Sequence, residues 1–128
     1  MTTIVWVTTE FIGFHKVENA PESHKYLSYP HRHLFKVRVD VEVTDKDRQV
    51  EFHKLQQTVS TLLDRPLFNV PDETAYELIT LKQPVNEVST LSCEMIADKI
   101  FKLLTDKQFL VSQVSVSEDG ECGALLRR

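Results

Sequence analysis

The chain has 128 residues, 41% hydrophobic and 27% charged, with only 3 glycines and 5 prolines, a composition that buries a core without a structural metal and argues against disorder. Its formal charge of −4 lacks the basic excess that general nucleic-acid binding needs. No apolar run approaches the roughly 20 residues of a bilayer span, and the opening MTTIVWVTTEF has neither the basic region nor the cleavage site of a secretory leader. With two cysteines, Cys93 and Cys122, a single cytoplasmic, reduced domain over residues 1–128 is expected.

Thr3 to Phe14, rich in Val, Ile, Thr and aromatics with partial alternation, predicts a first strand. Lys16 to Pro30 is polar, carries two prolines and is too long for a tight hairpin turn, so it reads as a loop that covers something. His33 to Val43 alternates apolar and polar residues almost without a break, predicting a second strand. After the turn-like TDKDRQ, the apolar positions Phe52, Leu55, Val59, Leu62 and Leu63 recur at helical spacing. Asp64 to Val88 is interrupted by Pro66, Pro71 and Pro84, and within it AYELITL fits a short strand or the start of a hairpin. A second helix is predicted over Leu91 to Leu104, with Ser89 or Thr90 near its start and Glu94 in its first turn. Phe109 to Val116 alternates again, and after the turn EDGECG a short last strand is predicted over Ala124 to Leu126. The element order is strand, strand, helix, helix, strand, strand.

His31-Arg32-His33 opens the second strand. Residues i and i+2 of a strand share a face, so both imidazoles can meet one ion. His15, at the end of the first strand, reaches the same place if the two strands pair antiparallel. Three histidines with an open fourth position are the ligand set of a catalytic zinc. The same pair also fits two unrelated side chains on a solvated strand end, because a two-histidine spacing is a weak signature. Glu118, at the end of VSVSE, suits either a solvated strand end or a pocket carboxylate that accepts the N–H groups of a guanidine-like heterocycle edge. Glu94 is most simply a first-turn acid that suits the helix dipole. Cys93 lies at a helix start with no evident cation beside it, so an incidental thiol is expected rather than a nucleophile. His24 and His53 have no ligand spacing and read as surface residues.

In order along the chain, FIGFH, the loop with ESHK, PHRHLFKVRVDVEV, VEFHKLQ, LLDRPLFN, STLSCEMIADKIF and VSVSED resemble the family of 6-pyruvoyltetrahydropterin and 6-carboxytetrahydropterin synthases. The resemblance covers nearly the whole chain except an enlarged, variable segment from about Val70 to Val88. It implies an α+β T-fold: a four-stranded antiparallel sheet with two helices on one face, in the order ββααββ, assembled as a trimer or a hexamer of two trimers. It implies zinc held by His15, His31 and His33, with Arg32 where the family has Gly. It further implies that Glu118 anchors a pterin's amino-pyrimidine edge, with Ser92, Cys93 and Glu94 at the helix start adding contacts.

Family members act on 7,8-dihydroneopterin triphosphate, in tetrahydrobiopterin, folate and queuosine-type routes, moving protons with a Cys and an Asp-His pair. Here the Cys position falls on Tyr26 or Leu27, depending on a one-residue gap, and the Asp-His pair is Asp64-Arg65. Losing a general acid or base costs roughly a hundred- to ten-thousand-fold in rate. The expectation is a zinc lyase of this type, with Asp64 and Tyr26 as the proton carriers and Arg65 at the substrate. The alternative is a zinc-containing protein that binds a pterin or purine-like ligand and has abandoned the chemistry.

Overall fold

The computed structural model describes residues 1–45, 47–63 and 91–128. Strands β1 (Thr3–His15) and β2 (His31–Val43) are followed by helices α1 (Phe52–Leu62) and α2 (Cys93–Asp106), then strands β3 (Val111–Glu118) and β4 (Cys122–Arg127). The strands form one antiparallel sheet in the order β1-β2-β3-β4. Asp64, Arg65 and the variable segment 70–88 lie outside the described residues.

Both long strands run further toward each other than their apolar alternation predicts, to His15 and from His31, because His15 pairs with His31 and the ladder continues unbroken to Thr3–Val43. The loop between them holds short 3-10 turns over Glu22–Ser28, kinked at His24. Helix α2 starts at Cys93 and not near Leu91, because the Ser92 hydroxyl, not Ser89 or Thr90, caps it by accepting from the Met95 amide. Its far end stops where Gln108 takes a left-handed φ of 74° and the Phe109 amide returns to the Leu104 carbonyl. β3 consequently begins at Val111, two residues beyond the predicted start, and β4 is longer than Ala124 to Leu126.

One face of the sheet carries Val7, Phe35, Val37, Val39, Val41, Val114 and Val116. Helix α1 covers the β1 side of that face with Leu55 and Val59, and α2 covers β3 and β4 with Ile96, Ile100 and Leu104. The spacing of these positions places them on one stripe of each helix, and burying each such aliphatic side chain stabilises by about 1.5–3 kcal/mol. Among the described residues no helix is long and apolar enough to cross a membrane.

Candidate metal centre

The face that forms the core changes chemistry at one end of the sheet. Pairing places His15 opposite His31, Gly13 opposite His33, Phe11 opposite Phe35, and Phe35 opposite Glu118. Side chains opposite one another share a face, so three histidines and Glu118 continue the apolar stripe beyond Phe35. Phe35 is fully buried and meets the rings of His15 and His33 edge-on at 5.3 and 5.9 Å, forming the floor of the cluster. Gly13 leaves room for that floor, since a Cβ there would approach the Phe11 and Phe35 rings to 3.1 Å.

One nitrogen from each of His15, His31 and His33 lies within 4.8 Å of the other two, an arrangement that could hold a metal ion. Each Nδ1 is already engaged. His15 Nδ1 donates to the Leu91 carbonyl at 3.2 Å, His31 Nδ1 to the Tyr29 carbonyl at 3.0 Å, and His33 Nδ1 to an Asp119 carboxylate oxygen at 2.7 Å. Carbonyls and carboxylates only accept, so each Nδ1 carries a proton, and in a neutral ring the Nε2 then carries a lone pair.

The Glu118 oxygens lie 3.3 Å from His15 Nε2 and 3.5 Å from His33 Nε2. In this tautomer these pairs set acceptor against acceptor, and the buried His15 Nε2 finds no hydrogen-bond partner among the described residues. Burial holds the His15 imidazole below its ordinary pKa against the Leu91 hydrogen bond and the Glu118 charge, and burial likewise lowers His31. In this tautomer the three rings offer Nε2 lone pairs that fit a divalent cation.

A cavity of ≈ 540 Å³ opens beside the cluster, walled by His15, Lys16, Ser92, Cys93, Glu94 and Glu118 among others. That volume lies within the range of small-molecule sites. The Ser92 oxygen accepts from Met95, which leaves its own proton to donate. Burial, with Glu118 and Glu94 adding to it, pushes the Cys93 thiol up to about 12, so it stays protonated.

The fold therefore brings His15, His31, His33, Glu118, Ser92, Cys93 and Glu94 to one place. It does not bring Tyr26 there: that side chain is 66% exposed on the β1–β2 loop and absent from the cavity wall. Asp64 and Arg65 lie outside the described residues. Sequence reasoning missed Asp119, which takes a left-handed φ of 57° that Asp tolerates. It also missed Lys16, only 8% exposed against the cavity. Adjacency to Glu118 in a Gly-containing turn was the available signal for Asp119.

Solved structures share this fold at low identity. The 6-pyruvoyl tetrahydropterin synthase of Caenorhabditis elegans matches with a TM-score of 0.63 and 13% identity over 100% of this chain and 96% of that chain. An uncharacterized protein from Wolinella succinogenes matches with a TM-score of 0.63 and 14% identity over 100% of this chain and 99% of that chain. No family model matches the chain, and neither does any curated protein. The fold is the α+β T-fold of the pterin synthase structures.

Proposed function

We propose that this chain is a zinc-dependent, pterin synthase-like protein that acts on 7,8-dihydroneopterin triphosphate or a related pterin. The reaction would eliminate triphosphate and rearrange or cleave the side chain, as in the 6-carboxytetrahydropterin synthases of queuosine and deazapurine biosynthesis. One observation carries the reading: three imidazoles whose Nδ1 atoms are all engaged each offer a nitrogen within 4.8 Å of the other two, beside a cavity.

His15, His31 and His33 would hold the ion through Nε2. When bound there, zinc supplies Lewis acidity that makes hydroxyl groups next to it easier to deprotonate. Glu118 would accept N–H groups from the amino-pyrimidine edge, and Ser92 would donate its hydroxyl proton to a ring acceptor. The protonated Cys93 thiol and Glu94 would shape the wall. Proton transfer falls to Asp64, with Arg65 as a substrate contact, since Tyr26 stands away from the cavity wall. A cytoplasmic homo-oligomer is part of the reading. Both β1 and β4 are edges of the described sheet, and the face opposite the described helices exposes Ile4, Trp6 and Leu125.

The alternative is a zinc-containing pterin- or purine-binding protein without turnover. Two observations favour it: the cavity thiol is held protonated, and Tyr26 stands away from the cavity wall.

The test incubates zinc-loaded protein with 7,8-dihydroneopterin triphosphate and follows substrate and product by chromatography and mass spectrometry. Conversion that disappears in His31→Ala is expected, and the product mass identifies the reaction. Unchanged substrate in a preparation shown to hold zinc would refute the lyase reading. Ligand affinity unaffected by Asp64→Ala would then support binding alone.

A further inference from the structure

We infer that Asp119 is a positioning residue that orients the His33 ring and selects its tautomer, and through it the ability of the centre to take a metal. The inference rests on the metal reading above and adds to it a residue that lies outside the ligand set.

Asp119 follows the last residue of β3 and grips β2 with three hydrogen bonds. Its Oδ2 accepts from His33 Nδ1 at 2.7 Å, its Oδ1 accepts from the Leu34 amide at 2.8 Å, and its own amide donates to the Leu34 carbonyl at 2.7 Å. The left-handed backbone at Asp119 folds the side chain back over β2, and Gly120 continues the turn at a φ of 73°. Two donors therefore face two carboxylate oxygens, and a carboxylate is the side-chain group that offers an acceptor to both.

The other two histidines are oriented by main-chain carbonyls, those of Leu91 and Tyr29, which no side-chain replacement alters. Among the described residues Asp119 is thus the one side chain hydrogen-bonded to an Nδ1 of the three rings, while Glu118 faces Nε2 of His15 and His33. Holding the proton on His33 Nδ1 keeps Nε2 bare for a metal, and the carboxylate's charge makes that nitrogen a stronger donor.

Asparagine separates this role from a purely structural one. In Asp119→Asn the amide oxygen can keep the Leu34 amide, but the NH2 group then faces His33 Nδ1. That nitrogen must become an acceptor, which moves the ring proton to Nε2, where the metal would bind. In Asp119→Ala both contacts go. The Asp119 side chain is 45% exposed, so water can take the Nδ1 proton and the metal-binding tautomer stays accessible.

The test compares wild type, Asp119→Asn and Asp119→Ala in the full chain. Zinc affinity is read by chelator competition, the Co2+ visible spectrum reports ligand geometry, and long-range 1H–15N NMR of the metal-free protein reads the His33 tautomer. Asp119→Asn should shift His33 to the Nε2–H form, weaken zinc binding about ten- to a hundred-fold and alter the Co2+ spectrum. Asp119→Ala should bind zinc no more weakly than Asp119→Asn, although it loses more hydrogen bonds. A structural role predicts the reverse order. An unchanged tautomer in Asp119→Asn, or zinc affinity within twofold of wild type, overturns the inference. If wild type itself takes neither metal, the zinc reading fails, and the metal-free tautomer comparison still decides the role of Asp119.

Discussion

Cys93 and Cys122 stand at the same cavity and differ in exposure. Cys122 is exposed at the start of β4, whereas Cys93 is enclosed at the start of α2 beside Glu118 and Glu94. A thiol raised from an ordinary 9.0 to about 12 has about a thousandfold less thiolate at a given pH below both values. Brief iodoacetamide treatment of the folded protein at pH 8 should therefore label Cys122 and spare Cys93, read by peptide mass spectrometry. Equal labelling would show that the α2 start opens in solution. Gly123, next to Cys122, has no tolerated replacement: a Cβ there would stand 2.1 Å from the Val116 carbonyl oxygen, so Gly123→Ala should force β4 off β3 beside the cavity.

Each helix start is set by one side chain, and one of those starts is also part of the cavity. Ser92 caps α2 and lines the cavity, so Ser92→Ala should lower stability by about 1 kcal/mol in denaturant unfolding, while Ser92→Asp should retain the cap. Equal losses in both variants would mean that the cap contributes nothing. Glu51 caps α1 by accepting from the His53 and Lys54 amides, and those hydrogen bonds hold its carboxyl below the ordinary 4.5. A depressed carboxyl contributes stability that is fully present above its unfolded value and is lost as pH falls through the folded one. Wild type should thus melt higher than Glu51→Gln at pH 7, and the gap should close as pH falls below 4.5. A gap that persists to low pH would assign the difference to packing. Within α2, Ile100 is fully buried, and Ile100→Ala should cost about 2–5 kcal/mol.

At the scale of the molecule, the helices cover one face of the sheet and leave Ile4, Trp6, Ile12 and Leu125 exposed on the other. On that face Arg38 lies 4.3 Å from the Trp6 ring centre and pairs with Asp40 at 2.8 Å, which holds the Trp6 surface in a fixed form. Apolar groups beside two strand edges fit self-association, and light scattering after gel filtration should give a trimer or a hexamer. Trp6→Asp should shift that population toward monomer, and a wild-type monomer at micromolar concentration would refute the assembly. A metal that binds only the folded state adds stability with concentration, about 2.7 kcal/mol at a hundred times its dissociation constant. Zinc should accordingly raise the melting temperature, a chelator should reverse the shift, and His15→Ala should abolish it.

Among the described residues the sequence by itself determined the element order and the stripe that each element buries, because strand alternation and helical spacing are local properties of the chain. Val37, Val39 and Val41 could be read as one strand face, and Ile96 and Ile100 as one helix stripe, without knowing what covers them. It also named His15, His31, His33 and Glu118, through strand-end positions and a family resemblance, but not Asp119 or Lys16. Element ends were less legible: Ser92 competes with Ser89 and Thr90 as a cap in sequence, and only the hydrogen bond to Met95 decides among them. The centre itself belongs to the tertiary structure. Opposing His15 to His31 and Phe35 to Glu118 depends on the register of three strands. The protons at Nδ1 depend on Leu91 and Asp119, which lie 76 and 86 residues from their histidines. Contacts over such separations leave no periodicity in the chain, so which ring nitrogen each histidine commits to a hydrogen bond was decided only when the sheet and the start of α2 came together.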